Sequence, residues 1–234
     1  NTLDDFLPNV CDDAVAQAEA EGWAVDGDEK YCPRCGASAG PGAVTPRGCS
    51  RCVHRHPPWG RIVRLGAYRP PLAEWIVAMK FGRQWTWGPF FGHCLADLDS
   101  VRDLSRQEKQ SIVCPVPMHW LRRWSRGYNQ AHLIAQAFAR RLDLPIADVL
   151  RRPKPTVPQT DVASIADRAK NVRGRIAARP VDLAGWTVWL IDDVTTTGAT
   201  LNACVKALRE AGARRILVAV AAVADPKGAD FTVA

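Results

Sequence analysis

Val188-Trp189-Leu190-Ile191-Asp192-Asp193-Val194-Thr195-Thr196-Thr197-Gly198-Ala199-Thr200 joins a buried-strand pattern to two adjacent carboxylates and a turn rich in hydroxyls and glycine. Residues 187–191 form an almost continuously apolar run, as in a parallel strand covered on both faces. Charge begins at Asp192, which predicts that the strand ends there. Both aspartates would then project into the crevice at the carboxyl ends of a parallel sheet, where open α/β folds bind ligands. Residues 195–200 open a helix predicted to run through Leu201 and Leu208 and to stop at Gly212. Free backbone N–H groups, threonine hydroxyls and the positive end of the helix dipole suit a phosphate monoester, and Gly198 lets the backbone approach closely. The carboxylates suit the vicinal hydroxyls of a ribose and can also hold a hydrated magnesium ion. A capped helix following a core strand is the plainer alternative. The whole string, rather than any one residue, favours a site for a phosphorylated sugar.

A second constellation is Cys32-Pro33-Arg34-Cys35-Gly36 followed by Cys49-Ser50-Arg51-Cys52. Each C-x-x-C turn presents two thiolates to one metal, and two such turns complete the closed tetrahedral set of a structural zinc site. The thirteen-residue spacer contains Ala37-Ser38-Ala39-Gly40-Pro41-Gly42, which cannot build a core of its own, so the metal would supply much of the folding energy. Neither pair precedes a helix in a thioredoxin-like unit, which argues against redox chemistry. Residues 1–10 hold acids and a proline rather than a basic start and an apolar core, so no secretory signal and no disulfides are expected. Of the other cysteines, Cys114 and Cys204 fall in apolar patterns as small buried hydrophobes. Cys11 and Cys94 have no assigned role. His54 and His56 read as surface residues beside a site that four cysteines already fill.

With 234 residues, 47% of them hydrophobic, the chain can bury one substantial core plus a small appendage. Its longest apolar run, residues 216–224, is too short for a bilayer and right for a buried strand. A soluble, cytoplasmic protein without membrane insertion is expected. The formal net charge of +7 favours anionic partners, a description that fits both a phosphorylated sugar and nucleic acid.

Along the chain, a helix is predicted over residues 12–21, the metal module over 31–53 and a linker at Pro57-Pro58. A strand follows at 61–68, helices at 72–81 and 87–97, a strand at 111–116, a helix at 129–142 and a short strand at 145–150. Strands alternating with helices imply a parallel sheet covered on both faces. Residues 1–56 therefore read as a helix plus metal-binding module and 57–234 as an α/β domain.

Two more segments fit around the sugar-phosphate site. Cys114-Pro115-Val116-Pro117-Met118-His119 ends a strand in a stiff turn whose N–H groups suit a diphosphate. Residues 120–130 then mix cations with aromatics. Arg122, Arg123 and Arg126 suit a leaving diphosphate, whereas Trp120, Trp124 and Tyr128 suit stacking on unpaired bases of single-stranded DNA. Their spacing of four fits an inward helical stripe equally well. Residues 155–174 begin with prolines and carry Arg168, Lys170 and Arg173. They read as a loop able to close over an anionic substrate, or as a solvated charged face.

Residues 188–200 resemble the 5-phosphoribosyl 1-diphosphate (PRPP) signature of type I phosphoribosyltransferases. The ordered strings C-P-R-C-G and C-S-R-C, L-G-A-Y-R-P-P-L with M-K-F-G, C-P-V-P-M-H with R-G-Y-N-Q-A, Q-T-D with R-A-K-N-V-R-G, and L-I-D-D-V-T-T-T-G-A-T closely resemble the ComF family over residues 31–224. That resemblance implies a zinc module preceding a type I phosphoribosyltransferase-like domain, in proteins associated with natural competence and DNA uptake. It further implies that Asp192 and Asp193 bind ribose hydroxyls, that Thr195, Thr196, Thr197, Gly198 and Thr200 bind the 5-phosphate, and that Pro117, Met118 and His119 form the diphosphate loop. The P-V-P and G-Y elements are also similar to the phosphoribosyltransferase half of glutamine amidophosphoribosyltransferases. Family members often carry another C-x-x-C nearer the amino terminus, where Cys11-Asp12-Asp13-Ala14 keeps one cysteine.

Two functions follow from these expectations. One is an enzyme that displaces diphosphate from ribose C1 of magnesium-bound PRPP with an unspecified nucleophile, Asp192 and Asp193 being the candidate catalytic pair. The other is a non-catalytic, PRPP-responsive accessory protein that binds single-stranded DNA alongside other competence proteins.

Overall fold

A computed structural model of the chain describes residues 31–39, 44, 48–50, 52, 56–118, 127–152 and 176–224. Four strands form one parallel sheet: β1 (Arg61–Ala67), β2 (Ser111–Pro115), β5 (Thr187–Thr195) and β6 (Arg215–Val223), in the order β1-β6-β5-β2. Helices α1 (Leu72–Phe81), α2 (Trp87–Asp97) and α3 (Asp99–Gln107) join β1 to β2, α4 (Gln130–Arg141) follows β2, and α5 (Ala199–Glu210) joins β5 to β6. Two-residue strands β3 (Leu150–Arg151) and β4 (Ala177–Ala178) pair antiparallel apart from the sheet.

Alternation along the strands sorts the core into two layers. Val63, Val113, Trp189, Ile191, Leu217 and Ala219 pack with the apolar faces of α1 to α4, while Ile62, Cys114, Val188, Leu190, Ile216 and Val218 pack with α5. The central strands are closed to solvent, with Val188, Trp189, Leu190 and Ile191 all 0% exposed. This is the doubly covered parallel sheet that the near-continuous apolar runs predict. Trp75 and Trp87 stack at 4.7 Å between centroids, an arrangement contributing about 0.5–1.5 kcal/mol beyond simple burial, and so pin α1 to α2. The carbonyl of fully buried Met79 accepts a hydrogen bond from the Tyr128 hydroxyl, which fixes the end of α1 against the start of α4.

Three boundaries differ from the sequence expectation. β5 does not stop at Ile191: it continues to Thr195, with Asp192 opposite Val220 and Thr195 opposite Val223. Its backbone ladder with β6 carries on where the side chains turn polar, because the ladder bonds are main-chain. The strand expected at 145–150 is reduced to one parallel bridge between Ile146 and Val113, followed by β3. Helix α3, which the sequence reading leaves unassigned, is real, with only Val101 and Leu104 buried. The helix expected at 12–21 lies outside the described residues.

Candidate functional site

β2 ends at Pro115, opposite Ile191, whereas β5 runs four residues further. Asp192 and Asp193 therefore lie where β5 has a neighbour on the β6 side but has outrun β2. Val116 N–H donates to the Ile191 carbonyl at 2.8 Å, which leaves half-buried Pro117 and Met118 at the same end of the sheet as the aspartates. Asn129 holds that exit through a 3.2 Å bond from its side-chain amide to the Val116 carbonyl.

The two carboxylates occupy opposite faces of one strand and meet different surroundings. Asp193, on the layer with Trp189 and Ile191, makes a 2.9 Å ion pair with Lys80 Nζ from the last turn of α1. Asp192 points toward α5 and accepts the Asp193 N–H at 2.9 Å. Burial, and after it the Asp193 charge, push the Asp192 carboxyl well above the usual carboxylate range. A half-buried acid with a raised proton affinity at the open end of a parallel sheet makes Asp192 a candidate working group.

Beyond β5 the chain turns through residues 196–198 into α5. Gly198 has φ 75°, a left-handed conformation that favours glycine, and its carbonyl accepts the first helical bond from Asn202 at 2.8 Å. Thr197 Oγ1 accepts the Ala199 N–H at 3.4 Å. Thr196 is exposed; Thr197, Gly198 and Thr200 are half-buried; Thr195, the last strand residue, is buried. Of the expected 5-phosphate residues, those of the turn and the first helical turn are at least partly open to solvent, while Thr195 is closed off at the end of the strand. A helix start leaves its first N–H groups without intrahelical partners, which with the dipole makes this turn receptive to an anion.

The structure thus brings Asp192, Asp193, Pro117, Met118, Thr196, Thr197, Gly198 and Thr200 to one end of the sheet. His119, Arg122, Arg126, Arg168, Lys170 and Arg173 lie outside the described residues. Lys80 has no role in the sequence reading beyond its place in the M-K-F-G string. Its contact with Asp193 spans more than a hundred positions, and no local pattern encodes it.

At the other constellation, Cys32, Cys35, Cys49 and Cys52 converge, with ligand atoms all within 4.8 Å of one another. Sγ separations are 3.5 Å for Cys32 to Cys52, 3.6 Å for Cys35 to Cys49 and 3.9 Å for Cys49 to Cys52. A tetrahedron with metal–sulfur arms of about 2.3 Å has edges of about 3.8 Å, so the cluster fits one ion such as zinc. Burial works against the Cys32 thiolate, but N–H groups of Arg34, Cys35 and Cys49 outweigh it and bring the thiol down to about 7. Burial, reinforced by the charge of Cys32, raises Cys35 to about 11. Thiols this close ionise together only around a cation. Cys114 and Cys204 are fully buried, as expected, and His56 is exposed. Cys11 and His54 lie outside the described residues.

Residues 129–231 match the family model of the phosphoribosyl transferase domain. Over 196 residues the chain is 35% identical to Competence protein F of Haemophilus influenzae, spanning 80% of this chain and 82% of that protein. DNA utilization protein YhgH of Escherichia coli is 28% identical over 193 residues, spanning 82% of this chain and 83% of that protein. Competence protein ComFC of Bacillus subtilis is 28% identical over 117 residues, 50% of this chain and 46% of its own.

Proposed function

Since this chain belongs to the ComF family, with a type I phosphoribosyltransferase-like fold and four cysteines grouped for a metal, we propose that it binds PRPP with magnesium at the end of β5 and acts in DNA uptake. The observation that carries this reading is the convergence of the Asp192-Asp193 doublet, the exit of β2 and the amino end of α5 at one end of the sheet. In this account the aspartates take the ribose hydroxyls, the turn at 196–198 with Thr200 takes the 5-phosphate, and Pro117 and Met118 face the diphosphate. His119, Arg122 and Arg126 would extend the diphosphate side, with Arg168, Lys170 and Arg173 on a closing loop. Magnesium, a hard cation suited to carboxylate and phosphate oxygens, would neutralise the departing diphosphate. The cysteine ion is taken as zinc and its module as residues 1–56, with the ligand-binding domain at 57–234.

Transfer would break the bond from ribose C1 to diphosphate and form one to a nucleophile. Positive charge develops on the sugar, where the carboxylates can stabilise it, and negative charge on the leaving group. One well-placed donor to that charge is worth about 3 kcal/mol. Binding stabilises the folded state by about 2.7 kcal/mol when free ligand stands about a hundredfold above its dissociation constant. PRPP with magnesium should therefore raise the melting temperature by roughly 5–10 °C in a chain of this size, and ribose 5-phosphate by less. An unchanged melting temperature would reject the ligand. A screen of nucleobases, amines and DNA for diphosphate release then identifies an acceptor.

A second reading rests on the net charge of +7 and on the DNA utilization for which the relatives are named: PRPP is an effector and single-stranded DNA the partner. It predicts single-strand binding that weakens steeply with salt, and no diphosphate release with any acceptor.

A further inference from the structure

We propose that Trp59 is a positioning residue that couples the metal site to the phosphate-binding turn, so that the order of this turn depends on the ion held by the cysteines. The ligand consequence rests on the function proposed above; the coupling itself does not.

Pro33 and Arg34 stand between the metal-site residues Cys32 and Cys35, and both of their carbonyls are used by the α/β domain. The Pro33 carbonyl accepts Ile62 N–H at 2.8 Å, and the Arg34 carbonyl accepts Trp59 Nε1–H at 2.7 Å. Trp59 is 7% exposed and belongs to the core layer that contains Leu201 of α5. Its ring covers Gly198: a Cβ built there would lie 3.2 Å from Trp59 Cη2. One side chain therefore touches the first cysteine turn with its N–H and the phosphate-binding turn with its ring edge.

A second contact reaches the other end of the same turn. Gly36, φ 75°, packs so closely that a Cβ would stand 2.8 Å from Val223 Cγ2 and 3.5 Å from Ile62. Val223 is the ladder partner of Thr195, and Ala224 N–H donates to the Thr195 carbonyl at 2.8 Å. Both ends of residues 195–198 are thus braced by the segment that carries Cys32 and Cys35.

The shape of that segment is set by four sulfurs drawn to one point. Without an ion they lose the tether, and with it the alignment of the Pro33 and Arg34 carbonyls. The turn itself is short and its middle is open to solvent, so release of Trp59 would lower its local stability well before that of the sheet. A binding segment that is ordered only part of the time reduces apparent affinity by the ordered fraction.

Hydrogen exchange on the full chain, metal-loaded and after chelation, tests the coupling without any sugar ligand. Peptides covering residues 195–201 should exchange roughly tenfold faster once stripped, while residues 188–190 stay protected. No change at the turn, or loss of protection across the whole sheet, would overturn the proposal. Trp59→Phe lacks both the N–H that reaches Arg34 and the outer ring edge that reaches Gly198. It should retain one metal per chain and normal sheet protection, yet exchange faster at 195–201 and bind PRPP several-fold more weakly. Wild-type exchange at the turn in metal-loaded Trp59→Phe would also overturn it. If the turn loosens on stripping but the wild type never binds PRPP, the coupling stands and the ligand assignment fails.

Discussion

Asp192 and Asp193 are adjacent in sequence, yet the strand pleat gives them separate tasks. Asp193 is matched by Lys80, whereas burial leaves Asp192 with a raised proton affinity. A carboxylate whose folded value is raised costs stability as pH climbs from the ordinary carboxylate range through that raised value. Asp192→Asn should therefore melt higher than wild type above that range, by a few degrees, at about 2–4 °C per kcal/mol. The gain should vanish in acid, where Asp192 is already protonated, and calorimetric melts from pH 3 to pH 8 check it. A gain that persists unchanged in acid would contradict the assignment. Lys80→Met leaves Asp193 uncompensated beside Asp192 and should cost about 1–2 kcal/mol. The Lys80→Met/Asp193→Asn pair should recover most of that loss, because the two residues act as a unit. Denaturant melts of the four-member cycle measure this, and strictly additive losses would show that the ion pair contributes nothing.

At the scale of elements, β5 shows what was legible and what was not. Its apolar half, its two acids and its turn into α5 were readable from residue order. Its length was not, since side-chain polarity reports exposure rather than where a main-chain ladder ends. Helix α3 is short and mostly polar, which gives it the look of a loop, although Val101 and Leu104, three residues apart, do mark one apolar face at helical spacing. Yet α3 delivers Glu108, whose carboxylate bonds Thr187 Oγ1 at 2.7 Å and pairs with Arg214 and Arg215 at the start of β6. Burial opposes the Glu108 charge, but Thr187 and Arg215 outweigh it and hold the carboxyl below its usual range. A depressed carboxyl stabilises the fold above the ordinary range, and that stability is lost as pH falls through the depressed value. Glu108→Gln should thus lose about 1–2 kcal/mol at neutral pH, since the Glu108 side chain is 5% exposed while its two guanidinium partners stay partly solvated. The difference from wild type should narrow as the pH falls from the ordinary carboxylate range through the depressed value. An equal difference at every pH would mean that packing, not charge, holds this corner.

Across the whole molecule, the fold class and both constellations were legible because each is written locally: period in the strands, spacing in the cysteines, order in the turn. The contacts that join them were not. Lys80 with Asp193, Glu108 with Arg214 and Arg215, and Trp59 with Arg34 and Gly198 pair residues far apart in sequence, and only the closed sheet brings them together. No helix among the described residues is long and apolar enough to cross a membrane. The site at the end of β5 is proposed as a ligand site and is tested as one. Titration calorimetry of PRPP with magnesium against wild type and Asp192→Asn/Asp193→Asn judges it most directly. Tight binding by the wild type that falls at least about a hundredfold in the variant, as expected when two charged hydrogen-bonding groups are removed, is the predicted result. Binding of equal strength by the two proteins would place the ligand elsewhere and contradict the account.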